Sequence, residues 1–238
     1  MRGAGRSARR AGTVLALVAA LAATACGTAD DGNDSAEAAR PIVFPSNRAA
    51  QAAACYAARL ARTDATGGKP LSIDEVSEAA HYLLLGATEA GITEPNRANG
   101  LRDEGLALVD RIRASGQADS LLRQCQQAFA ATRPGAFVAL PADTPGARQQ
   151  CYGLGFAIAQ IAGNSPDVAR DARLTGYLKM TAALDERVAA DARASGTTAP
   201  ELLLQDVKRG LARALEAGPV TTVLDACSQR YGGTDARG

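Results

Sequence analysis

Tryptophan is absent from the 238 residues, histidine occurs once, methionine twice, and aromatic residues make up 4%. With so few stacking side chains, a single-stranded nucleic-acid surface is disfavoured. No charge of one sign dominates: 26 Lys and Arg face 25 Asp and Glu. No electrostatic field therefore asks for nucleic acid of any kind. No Cys-x-x-Cys pair, Cys-His cluster or Cys-x-x-Cys-His run occurs, which removes the usual zinc, thiol-redox and haem-attachment signals. No Gly-x-Ser-x-Gly elbow is present either. The chain calls for no cofactor.

What the chain has is alanine, 54 residues of it and nearly half of its 47% apolar content. Alanine loses no side-chain entropy on entering a helix, so helix is favoured throughout. It also buries little area per residue, so the cores must be thin and need support from elsewhere.

Residues 1–10 carry Arg2, Arg6, Arg9 and Arg10 and no acid, and residues 11–25 (AGTVLALVAALAATA) are uncharged. Fifteen such residues are fewer than the roughly 20 that span a bilayer. A basic start, a short apolar stretch and small residues at its end make a secretory signal peptide. Two processing routes stay open. Ala23-Thr24-Ala25 fits the small-x-small rule of ordinary signal peptidase. Ala23-Thr24-Ala25-Cys26 also resembles the lipobox of bacterial lipoproteins, with Ala23 where Leu is favoured. That resemblance covers the first 26 residues only. It implies a diacylglycerol on the Cys26 thiol, membrane attachment through that lipid, and, with Gly27 rather than Asp next, outer-membrane sorting in a double-membraned host. Cysteine parity favours this route. Of Cys26, Cys55, Cys125, Cys151 and Cys227, setting Cys26 aside leaves an even set. Gly27–Arg40 (GTADDGNDSAEAAR) has the composition of a flexible tether. Without residues 1–25, the remaining 213 residues hold 22 basic and 25 acidic side chains, a net of −3. No later stretch is apolar enough to be a transmembrane helix.

The rest reads as a tandem repeat. Cys55-Tyr56 matches Cys151-Tyr152 at an offset of 96, and Tyr82-Leu83 matches Tyr177-Leu178 at 95. The Leu122–Phe129 segment with Cys125 matches Leu224–Tyr231 with Cys227 at 102, and a Gly precedes each of these cysteines by nine residues (Gly116, Gly218). One insertion of about seven residues after the Tyr-Leu pair reconciles the offsets. The predicted architecture is all-α: two tandem four-helix units, each with one disulfide joining its first and last helices. Residues 1–25 are the signal, 26–45 the tether, 46–132 unit 1, 133–144 a linker pinned by Phe137 and Val138, 145–233 unit 2 and 234–238 a tail.

In unit 1, Ser46 can cap the first helix, and Ser72 and Glu75 form a capping box for the second. Thr93 can cap the third, Gly116 ends it as a C′ residue, and the fourth runs from 118 to 131. In unit 2, Ser165-Pro166 opens a helix to Ala194. Thr198 caps a helix starting at Pro200, with Leu204, Val207, Leu211 and Leu215 as its buried stripe. Four cysteines allow three pairings, and the repeat selects Cys55–Cys125 and Cys151–Cys227. Each closes a loop of about 70 residues and contributes on the order of 4 kcal/mol.

Candidate chemistry is sparse. His81 is expected to be a partly exposed helical residue. Gly153-Leu154-Gly155 reads as a close helix contact rather than a phosphate loop. Asp103-Glu104 and Asp185-Glu186 are adjacent pairs that point to different helix faces, hence solvated charges. Tyr56, Tyr152, Phe129 and Tyr231 are expected as core aromatics beside the disulfides, a ligand pocket lined by them being the alternative.

The leading function is a non-enzymatic cell-envelope lipoprotein that holds an envelope protein partner near the periplasmic face of a membrane. A small-molecule or lipid binding protein of the periplasm comes second. An envelope hydrolase, for which Glu75 and Glu89 are the carboxylates to substitute, and a stress chaperone, by analogy alone, come last. Intact mass of the protein recovered from a bacterial envelope is expected to start at Cys26 with added acyl chains, with four thiols reacting only after reduction. A Cys26 start without lipid, or free thiols before reduction, would refute the lipoprotein reading.

Overall fold

The computed structural model describes residues 41–64, 71–92, 95–162, 168–197 and 199–232. The signal, Cys26, most of the tether, the tail, and the expected starts at Thr93, Ser165-Pro166 and Thr198 lie outside the described residues. Every regular element among the described residues is a helix. In the first half these are α1 (Arg48–Asp64), α2 (Ile73–Glu89), α3 (Pro95–Ser115) and α4 (Ala118–Ala128). The second half holds α5 (Pro145–Ala162), α6 (Ala172–Ala194), α7 (Pro200–Glu216) and α8 (Val220–Tyr231). Short 3₁₀ turns at Ala130–Thr132 and Val168–Arg170 complete the order. No described helix is long and apolar enough to cross a membrane.

The helix ends follow local chemistry. Asn47, not Ser46, caps α1: its Oδ1 accepts the Ala50 N–H at 2.8 Å. The capping box of α2 is formed, with the Glu75 N–H on Ser72 Oγ at 3.3 Å and the Ser72 N–H on Glu75 Oε2 at 2.8 Å. Gly91 ends α2 at φ +64°, and the Ile92 N–H returns to the Ala87 carbonyl at 2.8 Å, a Schellman closure that needs a residue free of Cβ strain. Asp171 caps α6 through the Arg173 N–H at 2.8 Å. The fourth helix stops at Ala128, three residues earlier than expected, and continues as a 3₁₀ turn.

Each half is built around its first helix, which packs on the second, third and fourth. The alanines make this work. Ala52, Ala53, Ala54, Ala57, Ala58 and Ala61 of α1 are all buried, so the surrounding helices close to short distances around a thin core. The disulfides are those the repeat selects. Cys55–Cys125 and Cys151–Cys227 each have Cα atoms 5.6 Å apart, with sequence separations of 70 and 76. All four cysteines are fully buried.

The third helices approach the first through glycine. A Cβ on Gly105 would lie 3.0 Å from the Ala53 carbonyl oxygen and 2.7 Å from the Tyr56 ring. A Cβ on Gly210 would lie 2.5 Å from the Gln149 carbonyl oxygen. Ala53 and Gln149 are equivalent at the offset of 96, so Gly105 and Gly210 are equivalent at 105. That offset also aligns Pro95 with Pro200, the first residues of both helices, and Gly105-Leu106-Ala107 with Gly210-Leu211-Ala212. The single seven-residue insertion inferred from the sequence is therefore two changes. About ten residues are added between the Tyr-Leu pair and the third helix, and three are lost before Gly218. The added residues lengthen the second helix. At offset 95 the end of α2, Glu89, corresponds to Leu184, and α6 runs on for ten more residues to Ala194.

The two halves share one continuous core. Helix α2 packs against α5, α7 and α8. Arg173 bridges the halves, bonded to Asp74 at 2.8 Å and to Asp225 at 2.7 Å, and the Tyr177 hydroxyl donates to Asp225 at 2.6 Å. The linker is held by its backbone and by Leu140, not by Phe137 and Val138, which are 38% and 69% exposed. The Val138 N–H bonds the Ala217 carbonyl at 2.7 Å, and Arg230 donates to the Pro141 carbonyl.

Gly210→Ala is expected to lower stability by about 1–3 kcal/mol, because the new methyl meets backbone that cannot move aside. Gly176→Ala, where a Cβ meets nothing within 4 Å, is expected to gain up to about 1 kcal/mol from helix propensity. Urea midpoints of the oxidised proteins measure both.

Candidate functional site

The ten added residues of α6 help to wall two clefts in the second half. One is apolar, about 270 Å³, lined by Tyr152 and Phe156 of α5, Asp185, Val188 and Ala189 of α6, and Pro200, Leu203, Leu204 and Val207 of α7. The other is polar, about 350 Å³, with Gln149, Asp191, Asp206, Arg209 and Arg213 among its walls. Most charges at the polar cleft are already matched. Arg148 holds Asp191 through bonds of 2.7 and 2.8 Å, and Arg209 pairs with Asp206.

The apolar cleft has a definite construction. Helices α5 and α6 run antiparallel, with Arg148 opposite Asp191, Tyr152 opposite Asp185, and Gly155 against Thr181. Tyr152 stacks on Phe156 with ring centroids 6.3 Å apart. Its hydroxyl donates to Asp185 Oδ1 at 2.9 Å. Partial burial and that carboxylate together raise the Tyr152 pKa above the ordinary tyrosine value, so the hydroxyl keeps its proton. Asp185 is the one charged group in the lining among the described residues. Phe156 and Leu204 stand on the rim, 50% and 53% exposed, large apolar side chains left in water.

The corresponding place in the first half is polar. Tyr56 lies directly beneath Gly105. The positions matching Phe156, Leu203, Leu204 and Val207 are Leu60, Ala98, Asn99 and Arg102. Arg102 is bonded to Asp103 at 3.0 Å. Asp185, Val188 and Ala189 have no counterpart, because α2 has ended.

The residues singled out from sequence fall as follows. His81 is 2% exposed, not a partly exposed helical residue. Its Nε2 lies 2.9 Å from the Leu215 carbonyl oxygen across the junction of the two halves, and since a carbonyl only accepts, Nε2–H is the donor. Helix α2 is covered here by α5, α7 and α8 of the second half. Phe129 and Tyr231 are core aromatics as expected; Tyr82 meets Phe129 edge-on with centroids 5.8 Å apart. Tyr56 and Tyr152 are only half-buried: Tyr56 lies under Gly105 of the third helix, and Tyr152 borders the cleft. The four aromatics do not gather into one pocket; of them only Tyr152 lines the cleft. Gly153 and Gly155 do serve close helix contact, against Val207–Leu211 and against Thr181. Glu75 is taken up by the capping box, and Glu89 is bonded to Arg48 Nη2 at 3.0 Å.

The cleft itself was missed. The sequence spacing places Leu204 on the buried stripe of its helix, yet it is 53% exposed and the stripe turns outward there. The visible signal was the Leu202-Leu203-Leu204 run, which covers more of a helix circumference than one buried face needs. No protein-family model, curated protein or solved structure matches the chain.

Burial lowers the His81 pKa from 6.5 to about 4, against the smaller opposing pull of the Leu215 carbonyl. The unfolded chain therefore takes up a proton between about pH 6.5 and 4 that the folded chain refuses. Stability is whole above that window and falls as pH drops through it, by on the order of 3 kcal/mol at most. The His81→Gln variant is expected to lose this acid dependence while being less stable at neutral pH. Chemical denaturation at a series of pH values measures it.

Proposed function

We propose that the chain is a non-catalytic, envelope-tethered interaction module, anchored through lipid on Cys26 and engaging a protein partner at the apolar cleft of its second half. The observation that carries this reading is the pair Phe156 and Leu204, large apolar side chains half in water around a cleft that the added residues of α6 create. Large apolar side chains left in water together around a cleft support a contact surface. Two buried disulfides support an oxidising compartment, and the signal-like N-terminus supports export. A small-molecule ligand of the same cleft is the second reading, supported by its concave shape and single carboxylate, although its volume lies just below the usual range for such sites.

A photo-cross-linking residue placed at Leu204, in cells, is expected to give a reproducible protein adduct that Phe156→Asp removes. The same residue placed at Leu106, exposed to a similar degree in the first half at 47%, is expected to give none. Equal patterns at both positions, or none at either, would count against the module.

A further inference from the structure

Resting on that reading, we infer that the occupant of the cleft is an amphipathic helix of the partner, laid along α6 with a Lys or Arg placed over Asp185. The argument is one of shape and charge. The apolar surface does not end at the cleft. On α6, Leu178, Ala182, Asp185 and Ala189 recur at helical spacing along one face, and Leu178 is itself 45% exposed. From Leu178 to Ala189 the strip spans 12 residues and about 16 Å, close to three turns. Phe156 and Tyr152 of α5 border the strip on one side, since Gly155 and Tyr152 stand opposite Thr181 and Asp185. Leu204 of α7 borders its far end.

An open, straight apolar strip of three turns suits a rod with an apolar face, the helix-in-groove mode of recognition. A compact ligand would fill the cleft and leave Leu178 and Ala182 uncovered. The one charge in the cleft lining among the described residues is the Asp185 carboxylate, in the second half of the strip. It already accepts the Tyr152 hydroxyl, which fixes it in place and leaves its other oxygen for a second donor. An occupant that covers it without a cation strands a carboxylate in an apolar contact. One that brings a basic side chain completes it. The same anion argues against a bilayer surface, where negative headgroups would meet it.

The test uses the full processed protein and a labelled peptide of about 14 residues, with leucines at i, i+3, i+4 and i+7 and one lysine on the apolar border, followed by fluorescence anisotropy. The expected result is saturable binding, weakened about fivefold by Asp185→Asn and lost in Leu204→Asp. A peptide with Glu for the lysine is expected to bind poorly to the unaltered protein and to recover on Asp185→Lys, a swap that no general loss of folding can imitate. Binding that ignores the sign at residue 185, or a scrambled peptide that binds as well, overturns the inference. So does Leu204-dependent co-sedimentation with phosphatidylglycerol vesicles in the absence of peptide binding. If no peptide binds while the Leu204 cross-link persists, the helix is wrong and the module stands. If both are absent, both readings fall.

Discussion

The buried disulfide from the first to the last helix of each half is the constraint on which the rest of the structure depends. The first helices are made largely of alanine, and alanine cores release little free energy per residue on burial. Fixing Cys55 to Cys125 and Cys151 to Cys227 removes much of the conformational freedom of loops of about 70 residues in the unfolded chain. The same small residues that weaken the core let the helices close in. Gly105 and Gly210 bring the third helix onto the carbonyls of the first, an approach that no larger residue permits. Covalent closure and close approach are thus two consequences of one composition.

The halves differ where they were free to differ. The disulfides, the glycine crossing and the Pro-initiated third helix are common to both. The length of the second helix is not. Its ten extra residues in the second half extend beyond the shared frame, raise a wall beside α5 and α7, and line two clefts. In the first half Tyr56 is covered by the third helix and bordered by Arg102. In the second, Tyr152 faces a carboxylate and an apolar rim. A cleft arises by lengthening one helix without disturbing the core that holds it.

The junction of the halves also sets chemistry that neither half holds alone. Helix α2 lies between its own unit and the second one, and His81 is desolvated there with the Leu215 carbonyl as its partner. Arg173 ties Asp74 to Asp225 at the same seam. These contacts make the two units one folded body with one core.

Much of this was legible in the sequence. Alanine content, capping residues such as Ser72 and Glu75, and the glycines that end helices act within a few residues of themselves, so the helices could be read directly. The cysteine pairing could be read because a repeat constrains it. Residues whose state depends on distant partners could not. The burial of His81, the outward turn of Leu204 and the half-exposure of Tyr56 and Tyr152 depend on which helix covers which. The cleft depends on where a ten-residue extension comes to lie in space. By itself the sequence determined the helices, their caps and their covalent closure, since propensity and capping are local and the pairing is repeated. Only the tertiary structure decided which apolar side chains are left in water, since that is a property of packing between elements far apart in the chain.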